Sequence, residues 1–109
     1  MHAYISHHIT QQGIKVQRPT TTSREVALAA VSLVHSKQYI DKIKFLCEKG
    51  AGYIDPDTYV NEATYDVCLE AMAAWIDAAK LVLEGKGPCF ALTRPPGHHA
   101  VRDDAMGFW

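Results

Sequence analysis

His98 and His99 stand side by side, directly after Arg94-Pro95-Pro96-Gly97. Imidazole changes charge near neutral pH, so an adjacent pair suits proton transfer or metal binding. The residues before the pair give it a stiff mount. Pro95 and Pro96 have fixed φ and no N–H donor, and Gly97 opens backbone conformations that a side chain forbids. Taken alone, two neighbouring loop histidines are more often inert surface than a site. The histidines at 2, 7, 8 and 35 carry less. His2, His7 and His8 belong to a polar arm, and His35 precedes a serine that reads as a helix cap, which suits a structural histidine. Asp55-Pro56-Asp57 is either a plain proline turn or a pair of carboxylates beside a site. Cys47, Cys68 and Cys89 are odd in number and too widely spaced for a Cys-x-x-Cys zinc motif, so they read as reduced core thiols.

Such a mount needs elements behind it. Thr22-Ser23-Arg24-Glu25 opens a first helix, with Thr22 as its cap and Glu25 reaching back to it. Val26, Ala29, Ala30, Leu33 and Val34 then recur at helical spacing. Ser36 caps a second helix, whose inner face is Tyr39, Ile40, Ile43, Leu46 and Cys47 and which stops near Gly50. Residues 50–57 read as a loop. Asn61 caps a long third helix with an inner stripe of Tyr65, Cys68, Met72, Trp75, Ile76, Ala79 and Val82 or Leu83, ended by Gly85 and Gly87. The run 88–93 is short, continuously apolar and bracketed by breakers, which predicts a buried strand. The histidines then fall just past the carboxyl end of that strand, the edge at which open α/β sheets bind ligands. The expected class is α/β, mostly helices with at least one buried strand at 88–93. Residues 1–21 are expected to form an arm or short strand, and 22–109 the folded part.

Bulk properties exclude several functions. A chain of 109 residues, 48% apolar and 21% charged, is one ordinary globular unit. A formal net charge of −1 gives no basic surface for nucleic acid. No run reaches the roughly 18–20 apolar residues of a membrane span, and residues 1–13 have no apolar signal core. The expected setting is cytoplasmic, with no nucleic-acid or membrane partner.

The string around the histidines narrows the reading. Arg94-Pro95-Pro96-Gly97-His98-His99-Ala100, followed by Met106-Gly107-Phe108, resembles a signature of the zinc-dependent histone deacetylase and acetylpolyamine amidohydrolase superfamily. Val34-His35-Ser36 with Tyr39-Ile40, and Gly52-Tyr53-Ile54-Asp55-Pro56-Asp57-Thr58, resemble two upstream elements of the same superfamily. The similarity covers roughly residues 18–108 and is to the N-terminal part of the domain. It implies a partial arginase/deacetylase-like fold and hydrolysis of acetyl-lysine or acetylpolyamine amides. His99 would be the general base, and the acid for the leaving amine. His98 would lie close to the zinc-bound water and act as an electrostatic and hydrogen-bonding partner. Gly107 and Phe108 would line a substrate tunnel, and Asp57 would bind substrate at the rim.

The same resemblance sets limits. The family holds zinc with two aspartates and a histidine, two of them in an Asp-x-His element, and no Asp-x-His occurs in this sequence. Trp109 stands where the family usually has cysteine. Two histidines fall short of the three protein ligands of a catalytic zinc site, so no metal ligand is assigned and tight zinc binding by this chain alone is not expected. The expectation is a truncated deacetylase homologue, inactive alone. The competing readings are an interaction or homo-oligomerisation module and a half-site completed by a second chain.

Overall fold

A computed structural model describes residues 11–14 and 20–105. The elements run α1 (Arg24–Ser32), α2 (Lys37–Glu48), β1 (Ala51–Asp55), β2 (Thr58–Asn61) and α3 (Thr64–Leu83). Two small cores hold them together. Tyr39, Ile43, Cys47, Val60 and Ala105 form one, and Ala27, Leu69 and Ala73 form the other. Tyr65 packs against both.

α1 is capped by Ser23 rather than Thr22. The Ser23 hydroxyl accepts from the Val26 amide at 3.3 Å. Thr22 does not serve as the cap because its amide and hydroxyl both donate to Asp77 on α3. The buried face of α1 is Ala27, flanked by Leu28 and Val31, while Val26 and Leu33 are exposed. The face is rotated from the expected stripe because Ala27 is the position that meets Ala73 and Leu69. Small side chains at a helix contact let the axes approach closely.

α2 follows the sequence reading. The Ser36 hydroxyl accepts from the Tyr39 amide at 3.2 Å, and Tyr39, Ile43 and Cys47 are buried one turn apart. Gly50, at φ 103°, lets the chain reverse after the helix. The expected loop at 50–57 is instead part of an antiparallel hairpin, with Gly52 opposite Val60 and Tyr53 opposite Tyr59. Thr58 and Val60 face inward, and the Tyr53 and Tyr59 rings meet edge-on at 5.2 Å. Such cross-strand aromatic pairs help fix register. At the tip, Asp55 accepts from the Asp57 amide at 2.8 Å, an Asx turn over Pro56.

α3 has no side-chain cap. Asn61 acts just before it, accepting from the Ala63 amide and the Thr64 hydroxyl. The buried line is Leu69, Ala73 and Asp77, with Tyr65 and Met72 beside it. Trp75, Ala79, Val82 and Leu83 of the expected stripe are exposed. The helix ends at Gly85, at φ 77°.

Residues 88–93 form no strand, and Phe90 is 83% exposed. This corrects the expected buried strand. A strand needs a neighbour to take up its N–H and C=O groups. Among the described residues, the strands pair only as β1 with β2. The fold is α/β, mostly helical, with its strands at 51–61 rather than 88–93. Among the described residues no helix is long and apolar enough to cross a membrane.

Candidate functional site: the histidine-pair loop

The His98 and His99 rings are in contact, with centroids 4.2 Å apart and planes at 67°. Both side chains are exposed. Gly97, at φ 68°, starts the turn that carries them, and the Ala100 amide closes it on the Gly97 carbonyl at 3.0 Å. A positive φ is cheap only for glycine, which is why this residue precedes the pair.

The loop lines a cavity upstream of the histidines and is anchored downstream of them. Upstream, Pro95, Pro96 and Gly97 line a largely apolar cavity of about 250 Å³, together with Val31, Tyr39 and Met72 of the three helices. The histidines are not among its lining residues. Downstream, the Val101 amide donates to the Asp104 carbonyl at 2.9 Å. The Arg102 carbonyl accepts from the Ser36 amide at 3.3 Å and lies 3.1 Å from His35 Nδ1. A carbonyl can only accept, so this contact assigns the proton to Nδ1 of His35. The Ser36 hydroxyl donates to the Asp103 carboxylate, and Ala105 is buried in the first core.

The structure thus gives His35 a structural contact and stacks its ring on Tyr39 at 5.1 Å. Burial, with Asp104 adding to it, pushes the Tyr39 phenol far above its ordinary value, so the group stays neutral. Burial also raises Cys68, to about 12, with Cys47 adding to the effect. Asp57 sits exposed at the hairpin tip. Gly107 and Phe108 lie outside the described residues. The sequence carries no local signal for the link from Ser36 to Asp103. Ser36 is visible as a cap, but Asp103 reads as half of an exposed acidic pair.

The family that the sequence resembles is zinc-dependent in general. Among the described residues, no group of three His, Cys, Asp or Glu side chains could hold a metal ion. A catalytic zinc needs about three protein ligands and an open position. The described residues do not fit that requirement.

The chain belongs to the histone deacetylase domain family, which matches residues 2–109. It is 34% identical to a probable deacetylase of Methanothermobacter thermautotrophicus over 79 residues, 72% of this chain and 23% of that protein. It is also 34% identical to the histone deacetylase-like amidohydrolase of Pseudomonas aeruginosa over 76 residues, 69% of this chain and 20% of that protein. The crystal structure of the HDA15 HD domain matches with a TM-score of 0.73 and 28% identity, covering 98% of this chain and 31% of that one. The chain spans about a quarter or less of the length of the curated relatives it matches.

Proposed function

We propose that this chain carries the histidine-pair portion of an amide-hydrolysing deacetylase site, whose substrates are acetyl-lysine or acetylated polyamines. The observation that carries the reading is the contact between two exposed imidazoles on a turn anchored on its downstream side. In this reading His99 takes a proton from the attacking water and returns it to the leaving amine. His98, in ring contact with it, is an electrostatic and hydrogen-bonding partner close to that water. Asp57, on the hairpin tip, accepts from the substrate backbone at the rim. Gly107 and Phe108 flank the extended substrate chain. Three free thiols suit a reducing, cytoplasmic setting.

The described residues provide no complete metal site, so the chain alone is expected to be inactive. Hydrolysis of a fluorogenic acetyl-lysine peptide, with zinc added, tests this against a His98→Ala/His99→Ala control. Histidine-dependent turnover by the chain alone would overturn the incompleteness. The catalytic role is tested by grafting residues 20–109 in place of the matching segment of the Pseudomonas aeruginosa relative. A folded chimera should hydrolyse the peptide and lose that activity on the double alanine change. Equal activity without the two histidines would remove the assigned role.

A further inference from the structure

We propose that Ser36 and Asp103 are positioning residues that hold His98 and His99 in ring contact, acting through the turn at 101–104. The proposal rests on the reading of the pair as the working part of the site. It adds two residues that do not touch substrate.

The geometry is a latch between the α1–α2 joint and the segment after the histidines. The Ser36 amide donates to the Arg102 carbonyl at 3.3 Å, His35 Nδ1 meets the same carbonyl at 3.1 Å, and the Ser36 hydroxyl donates to Asp103. A serine hydroxyl has one donor and two lone pairs. Ser36 can therefore cap α2, accepting from the Tyr39 amide at 3.2 Å, while it donates to Asp103. α2 has no acidic residue in its own first turn. Asp103, 67 residues along the chain from Ser36, brings a negative charge to that helix N-terminus, where the helix dipole favours it. The bond is charge-assisted and so stronger than a neutral one.

The latch matters because little else holds the downstream side of the arch. Pro95–Gly97 line the cavity between the loop and the helices, and the fixed points past the histidines are the turn at 101–104 and buried Ala105. Only residues 98–100 lie between them. If the Ser36–Asp103 bond is lost, the downstream side keeps the two contacts to the Arg102 carbonyl and buried Ala105, and the turn at 101–104 loosens. The two imidazoles then sample separate orientations.

The test is the ring-to-ring nuclear Overhauser effect between His98 and His99 in the 109-residue chain. Asp103→Ala and Ser36→Ala should weaken it several-fold. Asp103→Asn keeps an acceptor and Ser36→Thr keeps a hydroxyl, so both should restore it. Asp103→Ala leaves the Ser36 cap in place, so its core methyl signals should not move. An unchanged cross-peak in Asp103→Ala overturns the proposal. So does a loss of that cross-peak together with the core methyl dispersion, because the pair would then hold the fold rather than the histidines. Neither readout uses hydrolysis, so failure here is distinct from failure of the deacetylase reading.

Discussion

Asp77 accepts hydrogen bonds from both the amide and the hydroxyl of Thr22, a residue 55 positions earlier in the chain. Thr21 does the same, with its amide at 2.7 Å and its hydroxyl at 2.9 Å. Thr20 adds a hydroxyl bond to Glu70 at 2.7 Å. Residues 20–22 are thus strapped along α3, and the strap leads directly into α1. Asp77 is only 7% exposed. A carboxylate buried to that degree is stable only with its donors in place.

Replacing Asp77 with alanine should therefore cost about 3 kcal/mol, since hydrogen bonds to a charged group contribute about 1.5–3 kcal/mol and stranded partners add to the loss. Urea denaturation of wild type and Asp77→Ala measures it. A difference within about 0.5 kcal/mol, the usual range for a surface change, would show that the strap is idle.

The same carboxylate makes an acid-side prediction. Burial alone would raise its pKa, but the four bonds from Thr22 and Thr21 outweigh burial and hold it below the ordinary carboxylate value. A depressed folded pKa contributes stability above the unfolded value of about 3.9. That contribution is lost as pH falls through the folded pKa. The stability gap between wild type and Asp77→Asn should stay level from about pH 7 to 5 and close below about pH 4. A gap that persists unchanged at about pH 2 would show that the charge is not its source.

What was legible in the sequence was local. Pro95-Pro96-Gly97 announces a stiff turn by composition, and Ser36 announces a cap by its place before an amphipathic run. Less legible were features whose cause lies elsewhere in the chain. In α1, Ala27, Ala29 and Ala30 are equally apolar, so periodicity could not say which one faces α3. Asp77 breaks an apolar stripe, and its donors lie more than fifty positions away. The hairpin had a usable signal in Thr58-Tyr59-Val60 after Pro56-Asp57, but Gly52 inside β1 hid its other half. The 88–93 run has the composition of a strand. Composition cannot say whether a neighbouring strand is there to pair with it.

The three thiols should separate by rate. Cys89 is exposed and Cys47 is buried. Burial raises the Cys47 pKa and takes Cys68 up to about 12. Only the thiolate attacks a disulfide reagent. At about pH 8 one thiol per chain should react promptly, mapped by mass to Cys89, with the other two released by urea. Prompt labelling of Cys68, which lines the cavity, would mean that the cavity opens in solution.

Phe90 gives the sharpest test of how the 88–93 segment is held. A phenylalanine in a packed strand costs about 3–5 kcal/mol when truncated. Here the side chain is 83% exposed and belongs to neither core. Phe90→Ser should therefore change the stability of this chain by no more than about 0.5 kcal/mol. Ile43→Ala, at a side chain 2% exposed in the first core, should cost about 2–5 kcal/mol. Denaturation midpoints of the two variants, measured side by side, decide it. A Phe90→Ser loss as large as that of Ile43→Ala would mean the segment is buried in solution, restoring the strand that its composition suggests.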